Sequence, residues 1–197
     1  RKSGMSYDDY VGESIFSPLN MTSSFVHPSE DRPTPLSYLG KTEIDEPLIR
    51  DVGAGLIHSN VEDMANYLTL FLNRGTFNGN VILDSLSILE MEKKQTSDLE
   101  LPENDNFGYG LYSSEFMLKA EEDSSVVNVI GHGGDTYTFH ADMKYIPELG
   151  IGVVVLTNSS GGNRINSGER LLNIYLKSTQ KATLTVPTNS TLATPKN

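Results

Sequence analysis

The 197-residue chain contains no cysteine and no tryptophan. Without cysteine there are no disulfides and no thiolate chemistry, and the redox compartment is left open. Positive charge is also scarce, with 15 Lys and Arg against 26 Asp and Glu and a net charge of −11. Binding to phosphates needs a basic face, so nucleic acid is not an expected partner. Anionic membrane surfaces are disfavoured for the same reason. No apolar run approaches the roughly 20 residues of a spanning helix, and no membrane span is expected.

What remains is an ordinary globular composition, 37% hydrophobic, with length enough for one domain. Ser6-Tyr7-Asp8-Asp9 predicts a capped helix to about Phe16, stopped by Pro18. Residues 23–50 hold four prolines and few periodic apolar positions. They read as a long surface loop, which is uncommon unless functional. Ser59-Asn60-Val61-Glu62 has the form of a capping box. Val61, Met64, Ala65, Leu68, Phe71 and Leu72 then recur at helical spacing, with Gly75 as the stop. Asp84 can cap a further helix to about Lys93. Residues 95–106 are acidic and polar, and read as loop.

The second half changes period. Phe107–Lys119 reads as a strand or bent hairpin arm. Strands follow at about 126–132, 137–146 and 150–157, with Glu148-Leu149-Gly150 as a tight turn. Connections this short require antiparallel pairing. Asn166–Lys177 is a closing helix. From Thr179 onward the Thr/Pro/Asn/Ser composition predicts a disordered tail or linker. The expected class is α+β: an antiparallel sheet flanked by helices, with a helical and loop part over 1–106, sheet and closing helix over 107–178, and a tail over 179–197.

The most informative residues are Gly131-His132-Gly133-Gly134. Glycine weakens a strand interior and marks close approach of another backbone or a ligand. A titratable imidazole beside such a bare edge suits a site that holds a substrate main chain and exchanges a proton with it. The plain alternative is a strand-end histidine bonded to its neighbour, with ordinary strand-end glycines. His140 and Asp142 share a strand face by their i, i+2 spacing. With His132 they offer a metal-ligand reading, but zinc sites show denser clustering. A solvated strand face is the better account of them. Gly53-Ala54-Gly55 is either a backbone turn near a cleft or a plain loop, and His58 a residue preceding the central helix. Asn20-Met21-Thr22, Asn158-Ser159-Ser160 and Asn189-Ser190-Thr191 match a glycosylation sequon, which matters only in a eukaryotic secretory setting.

The run from Val126 to Asn158 resembles the C-terminal part of the serine β-lactamase and penicillin-binding-protein superfamily. The resemblance is to the branch with class C β-lactamases, D-Ala-D-Ala carboxypeptidases and β-lactamase-like esterases, where His-x-Gly often replaces Lys-Thr-Gly. Thr138-Phe139, Pro147-Glu148, Gly150 and Gly152–Asn158 follow the family's order, although Thr138 stands where the family usually has Gly. Upstream, Ser3-Gly4-Met5-Ser6-Tyr7, Ile15–Thr22 and Ala54–Ser59 with Glu62–Ala65 are similar to the family's segments.

The resemblance implies a partial β-lactamase/transpeptidase-like fold and acyl transfer from an amide, ester or lactam. His132 would face the cleft, where it could donate to a substrate carboxylate or tune a tyrosine base. Gly133 and Gly134 would line an extended substrate, and the Asp135 main-chain N–H would form half of an oxyanion hole. Ser-x-x-Lys and Tyr-x-Asn, the family's other two motifs, would precede Arg1. The lone Ser178-Thr179-Gln180-Lys181 comes in the wrong order and reads as coincidence. The chain is thus expected to be a fragment, inactive alone and dependent on an N-terminal part of its own protein. A small-molecule or peptide substrate, no cofactor, no metal and an extracytoplasmic or secreted location are implied. The alternative is a non-catalytic binding module on the same fold.

Overall fold

The computed structural model describes residues 2–47, 50–96, 105–120, 123–160 and 166–186. Helix α1 (Tyr7–Val11) starts where Ser6 accepts the Asp9 N–H at 3.1 Å, and runs on as a π-helical turn over Gly12–Phe16. Strands β1 (Ser37–Leu39) and β2 (Thr42–Ile44) form a hairpin within the proline-rich segment. The single turn α2 (Val52–Gly55) precedes the main helix α3 (Val61–Leu72). A short hairpin, β3 (Thr76–Phe77) and β4 (Asn80–Val81), leads to α4 (Ser85–Glu92). The main sheet strands are β5 (Asp105–Phe107), β6 (Tyr112–Lys119), β7 (Ser124–Asp135), β8 (His140–Ile146) and β9 (Ile151–Thr157). Strand β10 (Ser159–Ser160), helix α5 (Ser167–Thr179) and β11 (Thr183–Thr185) complete the chain.

The sheet runs β11-β6-β7-β8-β9, with β5 also on β6, and every pairing in it is antiparallel. Side chains alternate between its faces. One face carries Ile130, Met143 and Tyr145 against Leu68 and Phe71 of α3 and Ile88 of α4. The opposite face carries Val127, Val129 and Ile146 against Leu172 and Leu176 of α5. Burying an aliphatic side chain stabilises by about 2 kcal/mol, so both layers hold the sheet. Gly152 shows how closely α3 lies: a Cβ there would stand 2.7 Å from Leu68 Cδ2.

The architecture is the expected antiparallel sheet flanked by helices, with local corrections. The cap of α3 is Asn60, which accepts the Asp63 N–H at 2.8 Å, one residue later than the predicted box. Asp63 instead turns its carboxylate to the Ser23 N–H (2.8 Å) and Ser24 hydroxyl (2.7 Å), pinning the loop onto α3. The supposed long loop carries β1 and β2, and β1 pairs in parallel with β10. The tail composition is overridden at Thr183–Thr185, which pairs with Met117–Lys119 of β6. There Leu184 enters the core beside Leu176. Residues 97–104 of the predicted acidic loop and 187–197 of the predicted tail lie outside the described residues.

Candidate active site

Strand β7 continues through Asp135, so the His-Gly-Gly triad lies inside the strand rather than at its end. Its pairing with β6 stops at Tyr112 opposite Gly131. Its pairing with β8 continues, from Ile130 opposite Tyr145 to Asp135 opposite His140. Residues 132–135 therefore have a strand on one side only among the described residues. At the hairpin end, the Thr136 N–H donates to the Phe139 carbonyl at 2.9 Å. N–H and C=O groups alternate in direction along an antiparallel strand. The main-chain groups of Gly133 and Asp135 thus turn away from β8, toward the open edge.

The three glycines of this stretch are not equivalent. A Cβ on Gly131 would overlap the Met143 carbonyl oxygen. A Cβ on Gly133 would sit 3.5 Å from the Ala141 carbonyl oxygen, and one on Gly134 would sit 3.8 Å from Ala141 Cβ. These are ordinary contacts. Folding demands glycine at 131 but not at 133 or 134.

His132 shares the face of Ile130 and Met143 and is exposed. Its Nδ1 hydrogen-bonds the Gly133 carbonyl. A carbonyl only accepts, so Nδ1 carries the proton and the neutral ring leaves a lone pair on Nε2. The Tyr112 ring packs on the imidazole, and Phe107 packs on Tyr112 with centroids 4.7 Å apart. Beneath them, the Tyr145 hydroxyl donates to Glu92 at 2.8 Å, and Arg74 holds the same carboxylate through two 2.7 Å contacts. Burial first, and the Glu92 charge second, push the Tyr145 phenol well above its ordinary value.

His140 and Asp142 lie on the other face from His132, so the three do not converge. Their face is not the solvated one expected. His140 is 7% exposed, with Nδ1 on the Asp135 carboxylate. Asp142 accepts the Gly168 N–H at 2.8 Å, fixing the start of α5. Ser178 is on α5, across the sheet from His132, and its hydroxyl donates to the Tyr175 carbonyl at 2.8 Å. His58 stacks on Phe25 at 4.8 Å and serves the loop anchored on α3. Gly53-Ala54-Gly55 lies in the one-turn helix α2.

Two contributors escaped the sequence reading. Glu46 reaches the turn after the triad, accepting the Tyr137 N–H at 3.0 Å and the Thr138 hydroxyl. Tyr112 packs on the imidazole from the neighbouring strand. Neither has a local pattern. The register of β6 on β7 and the long-range return of residues 37–46 are what bring them in.

Residues 1–174 match the family model Beta-lactamase. The chain belongs to the Beta-lactamase family. Among solved structures, it is similar to the octameric penicillin-binding protein homologue from Pyrococcus abyssi, with a TM-score of 0.68 and 27% identity. That likeness covers 88% of this chain and 38% of the homologue. This Beta-lactamase-family chain therefore spans well under half of the protein it resembles. No curated protein matches it. No helix among the described residues is long and apolar enough to cross a membrane.

Proposed function

We propose that this chain is the C-terminal part of a β-lactamase-related serine hydrolase of the His-x-Gly branch, which transfers an acyl group from an amide, ester or lactam. A serine nucleophile upstream of these residues attacks the carbonyl, and water then releases the acyl group. The chain supplies the strand edge against which the substrate lies, the imidazole of His132 and the Asp135 main-chain N–H as one oxyanion donor. A D-Ala-D-Ala peptide, a small ester or a β-lactam each presents the carbonyl this chemistry needs.

The observation that carries this reading is the strand edge at 132–134, beyond the last pairing with β6. Two glycines that folding does not require sit there, beside an exposed imidazole whose Nδ1 is held by the Gly133 carbonyl. A residue without Cβ on an unpaired edge lets an extended substrate pair with the main chain. In this setting Nε2 of the neutral ring accepts a proton, or donates one after protonation, as general acid–base work requires.

The test uses the intact protein that carries residues 1–197, with a chromogenic ester, a chromogenic lactam and a fluorophosphonate probe. Turnover and covalent labelling at a serine upstream of Arg1 are expected. His132→Ala should lower turnover about 10²-fold with the fold retained. A folded intact protein that neither turns over nor takes the label would replace this reading with a non-catalytic binding module.

A further inference from the structure

We propose that Glu46 is a positioning residue, fixing the main chain at Asp135 through the turn 136–139; the inference rests on the acyl-transfer reading. The turn begins one residue after the proposed oxyanion donor. Within it, Thr136 Oγ1 accepts the Phe139 N–H at 3.0 Å, and the Thr136 N–H reaches the Phe139 carbonyl at 2.9 Å. At its base the His140 ring meets the Asp135 carboxylate. Its outer arc is held only from a distance in sequence. Glu46 Oε1 accepts the Tyr137 N–H at 3.0 Å, and Oε2 accepts the Thr138 hydroxyl.

Thr138 is fully buried. A threonine inside a tight turn adds one methyl group and one hydroxyl. A buried hydroxyl needs a partner, and Glu46 supplies it. The carboxylate itself arrives on an anchored arm. Strand β1 pairs with both β2 and β10, Ser37 Oγ donates to the Ile44 carbonyl at 2.7 Å, and Pro47 biases Glu46 toward extended backbone. Thus β10, which follows β9, holds β1–β2, and β1–β2 holds the turn between β7 and β8. An oxyanion donor acts only if it already points where charge will develop. A misplacement near 1 Å costs about 10²-fold in rate.

Two readouts test this on the intact protein. The first is amide hydrogen exchange by NMR. In Glu46→Ala, exchange at Thr136, whose N–H bonds the Phe139 carbonyl next to Asp135, and at Tyr137 should rise at least tenfold, while Ile130 in β7 stays unchanged. Glu46→Gln, which keeps an acceptor oxygen, should restore most of the protection. The second is ester turnover, where Glu46→Ala should lower kcat about tenfold with KM within twofold. Thr138→Ala added to Glu46→Ala should cause no further loss of kcat.

A fall in melting temperature with unchanged Thr136 exchange and unchanged kcat would overturn the proposal. Faster Thr136 exchange in Glu46→Ala, in a protein whose wild type never acylates, would leave the brace standing and sink the hydrolase reading. Normal wild-type turnover, insensitive to Glu46→Ala, would do the reverse.

Discussion

The ring of Tyr112 lies on the ring of His132, with centroids 5.3 Å apart and planes inclined by 38°. The contact crosses the last paired position of β6 and β7, where Tyr112 stands opposite Gly131. It holds the imidazole from one side while the Gly133 carbonyl holds Nδ1 from the other. An exposed histidine would otherwise sample several rotamers, so the tilted Tyr112 ring packed against it sets the direction of Nε2.

That relationship predicts a graded response in the intact protein. Tyr112→Phe keeps the ring and should leave kcat/KM within twofold. Tyr112→Ala removes a contact worth about 1 kcal/mol, which corresponds to roughly fivefold in kcat/KM. Steady-state kinetics on one chromogenic ester, with circular dichroism as the fold control, decides it. Equal activity in all three proteins would show that the ring does not orient His132.

The glycines predict a separation of stability from activity. Gly131→Ala drives a methyl group into the Met143 carbonyl oxygen and should destabilise by about 3 kcal/mol. Gly133→Ala and Gly134→Ala meet only ordinary contacts, so each should stay within about 1 kcal/mol of wild type by denaturant unfolding. In the intact protein they should nevertheless reduce acyl transfer by at least tenfold, because the new methyl groups stand beside the open edge. Full activity in both would remove the case for close substrate approach.

Much of this was legible in the residues. The switch from helical to two-residue period near Phe107 announces the sheet, and the short connections expected at 133–136 and 148–150 force it to be antiparallel, although the first turn in fact lies at 136–139. The caps at Ser6 and Asp84 stand where the sequence places them. Long-range geometry was not legible. Asp63 looks like an ordinary first-turn acid, and only the fold reveals that it binds Ser23 and Ser24 of a distant loop. His140 and Asp142 look like a polar outer face, and only the fold shows that His140 is buried and that Asp142 holds the start of α5. Thr183–Thr185 has the composition of a tail, but its pairing with β6 and the burial of Leu184 outweigh local preference. At the candidate site, the triad could be found by its residue types. That β6 stops at Gly131, leaving one side of the triad open, is a property of register.

Tyr145 gives the chain a pH-dependent element. Burial, then the Glu92 charge, raises the phenol above its ordinary value of about 10. The neutral phenol is thus the form the fold favours. Its contribution is fully present below about pH 10 and is lost as pH rises from there toward the folded value. Tyr67, raised mainly by burial, acts in the same direction. Urea midpoints should therefore fall between pH 9 and pH 11. Tyr145→Phe should be less stable at pH 7, by about 1–2 kcal/mol for the lost bond to Glu92. It should also show a smaller fall over the alkaline interval. Parallel pH curves for the two proteins would place the alkaline sensitivity elsewhere.

The last strand of the main sheet carries the remaining prediction. Among the described residues β9 pairs only with β8, so its other edge presents unpaired main-chain groups along Ile151–Thr157. Its side chains are apolar over Val153–Leu156, with no charge to discourage a second strand. Natural edges are usually blunted by lysine, proline or a bulge, and an unblunted apolar edge invites association. The 197-residue chain alone should therefore scatter light as oligomers or aggregates at micromolar concentration. Val155→Lys places a positive charge across from Asp142, which pairs with Val155 in the ladder, and should shift the population toward monomer. A wild-type chain that runs as a stable 21.6 kDa monomer and unfolds cooperatively would show that the β9 edge needs no cover.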